Sequence, residues 1–249
     1  MVASLLPLNA SVHGRTLDQH LLLNLWIALA LLALAHGLIL IGLAMRRPHG
    51  DSTNPPGSRG FLWRYEYLPL AALTLLYLCL GVQAERLWAA SHYTGSDPAA
   101  MQIEVTGVQF VWYFRYPGPD AVFGTTHPEL VAPGEGNPLG LDPHDPHGAD
   151  DIVSSELVLP AGREVDLRLR SQDVIHGFFV PEMRLKQNAV PGETDHLHFT
   201  STQPGTYAIL CSQLCGLGHY RMSATVRVVP EAEFAAWLAS RTQATRIMQ

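Results

Sequence analysis

The sequence predicts two N-terminal membrane-spanning helices followed by an all-β domain outside the membrane. Three observations carry this. Residues 21–45, LLLNLWIALALLALAHGLILIGLAM, form an apolar run free of formal charge. Residues 67–82, YLPLAALTLLYLCLGV, form a second one. Beyond residue 90 the chain breaks into short alternating runs separated by turns. Hydrophobic residues make up 47% of the 249 against 15% charged, an excess that a purely soluble protein rarely has.

As a helix, the first run would reach about 37 Å, enough to cross a hydrocarbon core of roughly 30 Å. It is too long for a signal-peptide core and no basic cluster precedes it, which favours a retained span over a cleaved leader. The second run is shorter, but Trp63, Tyr65 and Tyr67 before it and Trp88 after it read as interfacial aromatic belts. The expected spans are about 21–45 and 65–88, in a tail and hairpin comprising residues 1–90. The link carries Arg46, Arg47, Arg59 and Arg64, whereas the tail has only Arg15. Positive-inside bias therefore places the link in the cytoplasm and both termini outside. Asn24 and His36 read as interhelical hydrogen-bonding groups and point to a membrane partner. Cys79 reads as a small buried hydrophobe, and Glu66 as an interfacial, structural glutamate.

Residues 91–249 read as one extramembranous domain. Its strand signals are QIEVTGVQFVWYFRY (102–116), SSELVLPAG (154–162), EVDLRLRS (164–171), HLHFTST (196–202) and ATVRVV (224–229). Seven prolines and six glycines mark residues 117–151 as a long loop without regular elements. EAEFAAWLAS after Pro230 reads as a closing amphipathic helix. From residue 86 onward there are 18 acidic and 11 basic side chains, a net charge of −7 that steers basic partners. No nucleic-acid partner is expected.

The stretch CSQLCGLGHYRM (211–222) concentrates two thiols, an imidazole and a thioether in a chain with three cysteines. Taken alone, two cysteines outside the membrane are as readily a disulfide as a metal site. Zinc would use both cysteines and His219 but leave Met222 and His176 idle. Without Cys211, the set His176, Cys215, His219 and Met222 matches a mononuclear electron-transfer copper site. Cys211 adds a second thiolate, so that the two sulfurs can bridge two copper ions.

Two spans, QFVWYFRYPGPD, SQDVIHGFFVPEMRLKQNAVPG and CSQLCGLGHYRM come in the order and spacing of a known family. Over nearly its whole length the chain resembles subunit II of the heme-copper oxidases. The resemblance implies a cupredoxin-type Greek-key β-barrel holding the dinuclear copper centre CuA on the outer, periplasmic side of the cell membrane. It implies that His176 and Met222 bind one copper, His219 and the backbone carbonyl of Gln213 the other, and that Cys211 and Cys215 bridge both. It also implies that the aromatic run receives electrons from a c-type cytochrome, which pass to heme in subunit I for oxygen reduction. The family's tryptophan is displaced here: Phe110 follows Gln109, and Trp112 is the primary candidate to receive electrons, with Phe110 second. Asn188 and Gln213 stand where the family commonly has acids, so the magnesium or manganese site at the subunit I contact is expected to be weak or absent. The chain is then the relay subunit of an oxidoreductase complex, with no catalytic residue of its own. Two alternatives are the CuA subunit of a membrane nitric oxide reductase and a membrane-tethered copper carrier or chaperone.

Overall fold

The computed structural model describes residues 6–45, 59–92 and 95–248. Arg46 and Arg47 of the basic link lie outside them. The chain divides into two units, Thr16–Ala90 and the remainder.

The first unit is helical. Helix α1 spans Gly14–Ala44; a short helix α2 (Arg59–Leu62) continues through a wider turn at Trp63–Tyr67 into α3 (Leu68–His92). Gly14–Ala44 and Trp63–His92 are long and apolar enough to cross a membrane, with hydropathies of 2.5 and 1.7 over their best windows. Neither window has any buried residue, so leucines such as Leu32, Leu40 and Leu75 stand bare. A soluble protein would cover such surface; a bilayer does so here.

The second unit packs two five-stranded sheets face to face. One has the order β3-β2-β1-β5-β8, built from β1 (Met101–Val108), β2 (Val111–Tyr116), β3 (Ile152–Ser154), β5 (Glu164–Ser171) and β8 (Asp195–Thr200). The other has the order β4-β10-β9-β6-β7, from β4 (Leu157–Pro160), β6 (His176–Val180), β7 (Leu185–Ala189), β9 (Gly205–Cys211) and β10 (Ser223–Val229). The pairs β1–β5 and β4–β10 are parallel and the other pairings antiparallel, giving the cupredoxin-like pattern. Alternation decides what faces inward: Ile103 and Val105, Val165, Leu167 and Leu169, Leu197 and Phe199, and Val226 and Val228 are buried at period two. Each such side chain contributes about 1.5–3 kcal/mol on burial. Helix α4 (Glu231–Met248) closes the unit, with Trp237 against Tyr116 at 5.0 Å between ring centroids.

The structure revises four sequence expectations. The stretch 102–116 is two strands, not one, because the chain turns at Gln109–Phe110. The N-terminal tail belongs with the β unit: Ala10 N–H donates to the Glu182 carbonyl at 2.8 Å and Val12 N–H to that of Thr200 at 3.0 Å. Loop 117–151 carries short 3₁₀ turns at Pro128–Leu130 and Pro133–Glu135, and its far end is fixed by Arg115, which donates to both Asp151 and Glu104 while 1% exposed. Cys79, expected buried, is exposed on α3, where an apolar side chain meets lipid.

Candidate metal centre

The centre is assembled at one end of the β4-β10-β9-β6-β7 sheet. His176 opens β6, Cys211 ends β9, and Met222 immediately precedes β10. Phe178 pairs with Cys211, Cys211 N–H donates to the Met222 carbonyl at 3.1 Å, and Ser212 N–H donates to that of Gly177 at 2.8 Å. Three strand ends are thereby stitched into one site. A Cβ on Gly177 would run into Ser212 Oγ and stand 2.8 Å from Gln213 N, so this approach requires glycine. The loop then turns through Gly216 at φ +132°, another backbone state that favours glycine, into a 3₁₀ turn at His219–Arg221.

All six residues expected as ligands converge there. The Cys211 and Cys215 sulfurs are 3.7 Å apart and unbonded. Cys215 Sγ is also 3.7 Å from His219 Nδ1 and 3.7 Å from Met222 Sδ. Cys211 Sγ lies 3.2 Å from the Gln213 carbonyl oxygen, and a His176 nitrogen stands within 4.8 Å of both cysteine sulfurs.

His176 is fully buried, with Nε2 2.8 Å from Asp173 Oδ1. Its other nitrogen, Nδ1, is buried and has no protein partner among the described residues. Trp112 meets the ring edge-on at 5.8 Å, and a Cβ on Gly107 would stand 2.7 Å from the ring Cδ2. Burial, and then the neighbouring Cys211, push the Cys215 thiol up to about 11. A thiol raised in this way stays protonated unless a cation compensates it. An orphaned imidazole nitrogen, two paired thiols, a second imidazole and a buried thioether form a soft donor set that fits copper.

The two aromatic candidates separate. Trp112 is fully buried, packed edge-on against His176 and Phe178, and offers a partner no surface. Strand alternation turns it into the core with Phe114. Phe110, in the turn before β2, is half-buried and lies over the 211–222 loop: a Cβ on Gly218 would stand 2.6 Å from its Cγ and one on Gly216 3.3 Å from its Cζ. Leu214, Leu217 and Tyr220 are exposed on the same loop. Gln213 and Asn188 are exposed, and Asn188 pairs with Gly177.

Sequence reasoning overlooked Asp173 and the side chain of Gln109. Asp173 Oδ2 accepts the Gln109 N–H at 2.8 Å, and Gln109 Nε2 donates to the Cys215 carbonyl at 2.5 Å. Burial raises the Asp173 carboxyl, but the N–H groups of Gln109, His176 and Val174 together hold it below the usual range. The signal available in the sequence was an aspartate three residues before a candidate metal-binding histidine, since metal-binding histidines commonly give their second nitrogen to a carboxylate.

The sequence profile of the cytochrome c oxidase subunit II periplasmic domain matches residues 101–229. An alternative cytochrome c oxidase subunit 2 of Bradyrhizobium diazoefficiens is 43% identical over 141 residues, covering 56% of this chain and 50% of the relative. Cytochrome c oxidase subunit 2 of Thermostichus vulcanus is 34% identical over 135 residues, covering 54% and 32%. The chain thus spans about half or a third of the length of these curated relatives. The crystal structure of the periplasmic domain of subunit II of cytochrome oxidase from Bradyrhizobium japonicum aligns with 27% identity and a TM-score of 0.44, covering 59% of this chain and 98% of that one. With a family profile matched over just over half of its residues, the chain belongs to the cytochrome c oxidase subunit II family.

Proposed function

We propose that this chain is the electron-receiving subunit of a respiratory heme-copper oxidase. It takes electrons from a c-type cytochrome at a binuclear CuA centre and passes them to heme in subunit I, where oxygen is reduced. The observation that carries this is the second thiol: Cys211 stands 3.7 Å from Cys215 within a set of donors that already suffices for one copper. Cys211 and Cys215 would both hold the copper centre as thiolates, and the chemistry it would supply is one-electron transfer with a small reorganisation.

His176 and Met222 would hold one copper, His219 and the Gln213 carbonyl the other, with Cys211 and Cys215 between them. His176, Cys215 and Met222 are at most 4% exposed, so the inner side of the site excludes water. Both cysteines bind as thiolates, and loading therefore releases protons. Phe110, not Trp112, is the residue a docked cytochrome would meet before the copper loop. Leu214, Leu217 and Tyr220 supply apolar contact around it, and the net charge of −7 from residue 86 onward draws a basic donor. The two spans would place this domain on the periplasmic side of the cell membrane, with both termini outside. The amides of Gln213 and Asn188 leave any magnesium or manganese site toward subunit I weak. No observation favours the nitric oxide reductase or copper-carrier readings over this one.

Rapid mixing of a reduced basic c-type cytochrome with the copper-loaded protein tests the proposal. Electron transfer should be fast at low ionic strength and slow as salt rises. Phe110→Ala should slow it about tenfold with the copper spectrum intact, since truncating an aromatic at a docking centre costs more than about 1 kcal/mol. Salt-independent transfer at the normal rate in that variant would place the docking face elsewhere.

A further inference from the structure

We infer that the Pro/Gly-rich loop holds a second metal site, in which the imidazoles of His127 and His144 and the carboxylate of Asp142 take a zinc ion. The inference concerns the loop alone and goes beyond the CuA reading.

Backbone pairing brings the donors together. Thr126 bridges to Leu141 in the antiparallel sense, His127 N–H donates to the Gly140 carbonyl at 2.7 Å, and Asp142 N–H donates to that of Thr125 at 3.1 Å. The Asn137 side chain braces the second arm, accepting the Leu141 N–H at 2.8 Å and donating to the Leu141 carbonyl at 2.9 Å. In such a pairing His127 and Asp142 are diagonal neighbours on one face. Their side chains meet accordingly, with His127 Nε2 3.9 Å from Asp142 Oδ2. A local turn brings in His144: Asp142 Oδ1 accepts the His144 N–H at 2.8 Å, and His144 Nδ1 lies 3.8 Å from the same oxygen.

The two ring nitrogens are too far from the carboxylate for hydrogen bonds. Their distances suit donors to a shared ion, since two ligands each about 2.0–2.2 Å from zinc are at most roughly 4.4 Å apart. The rings stand at different oxygens of Asp142, so one must swing for all three donors to close, and the His144 side chain, 85% exposed, has the room. The third loop histidine is engaged elsewhere, with His147 Nδ1 2.6 Å from Asp120 Oδ2. Charge favours a cation here, because residues 117–151 carry seven acidic side chains and no lysine or arginine. The donor set then selects which cation. Calcium and magnesium take oxygen ligands and would leave both imidazoles unused. Zinc accepts imidazole and carboxylate together, and it tolerates a site completed by water. No sulfur takes part, which separates this site chemically from the thiolate centre. Zinc would tie the 125–127 arm of the loop to the 140–144 arm.

The test uses the untagged full chain in detergent, already loaded with copper so that the thiols are occupied. After dialysis against zinc it should retain one zinc per chain beyond its copper, counted by atomic absorption. Zinc K-edge absorption should show nitrogen and oxygen neighbours, the outer-shell scattering of two imidazole rings, and no sulfur. His127→Ala and His144→Ala should each weaken zinc retention at least about tenfold with the copper spectrum intact, since losing even a ligand's hydrogen-bond partner costs that much. His196→Ala, which removes an exposed histidine beside Asp166, should leave retention unchanged. No zinc beyond the copper, sulfur in the zinc shell, or normal retention in both loop variants overturns the inference, and the first two need no variant to fold. An equal loss in His196→Ala would mean scattered surface binding and overturns it as well.

Discussion

Gln213 separates two roles that a glutamate would combine. Its carbonyl oxygen lies 3.2 Å from Cys211 Sγ, within the ligand set, whereas its side chain is an exposed, neutral amide. A hard divalent cation prefers charged oxygen at close range, and an amide is a poor substitute. Asn188, opposite Gly177 in the β6–β7 pairing, adds no charge on the same side. Manganese supplied during growth should leave no stoichiometric bound metal in the purified complex, as read by atomic absorption. Gln213→Glu should raise manganese retention without altering the copper spectrum, and tightly bound manganese on the unmutated Gln213 would contradict this. The candidate donors His176, Cys211, Cys215, His219 and Met222 could be named from the sequence, because thiol, imidazole and thioether at fixed spacing are legible as chemistry, whereas the Gln213 carbonyl came only from the family resemblance. The order of Trp112 and Phe110 was not legible: which of two nearby aromatics meets the loop depends on where β1 stops, and no residue type announces that. Asp173 was hidden for a related reason, since its partners His176 and Gln109 lie on different elements.

Loop 117–151 shows what composition can and cannot tell about an element. Proline and glycine content gave the absence of strands, but not the anchors that order the loop. These are pairings distant in sequence: Arg115 with Asp151 at the buried end, Asp145 accepting both Thr125 N–H and Oγ–H at 2.8 Å, and His147 Nδ1 2.6 Å from Asp120 at the surface. Likewise β6, β7 and β9 were not read as strands, because the residues at their site ends serve the centre and break the apolar alternation. The exposed pair gives the loop a pH dependence. The hydrogen bond to Asp120 raises His147 above its ordinary 6.5, and the same bond lowers Asp120 below its ordinary 3.8. The histidine contribution is complete below pH 6.5 and is lost as pH rises through the raised value; the aspartate contribution is complete above pH 3.8 and is lost as pH falls through the lowered one. Hydrogen-exchange protection of the 142–148 amides should therefore be greatest between about pH 4 and 6.5 and decline above it. His147→Ala should flatten that profile, and an unchanged profile would show that the pair does not hold the loop.

At the scale of the molecule, hydropathy alone revealed the helical unit, since two long helices whose most apolar windows hold no buried residue have few alternatives to a bilayer. The β unit was legible as a class from strand spacing, but its extent was not. The tail at Ala10–Val12 pairs with Thr200 and Thr202 through backbone hydrogen bonds that any residues could make. The fold accounts for the centre by bringing β6, β9 and β10 to one end, where residues 35 positions apart, His176 and Cys211, become neighbours. The claim that rests on all of this is that two metals, not one, occupy that end. Electron paramagnetic resonance of the fully copper-loaded protein, with copper counted per chain, tests it most directly. The account predicts two coppers per chain, with one unpaired electron spread over both nuclei, and at best a mononuclear spectrum in Cys211→Ser. A hyperfine pattern from a single copper nucleus in the fully loaded, unmutated protein, or an unreactive Cys211–Cys215 disulfide, would contradict it.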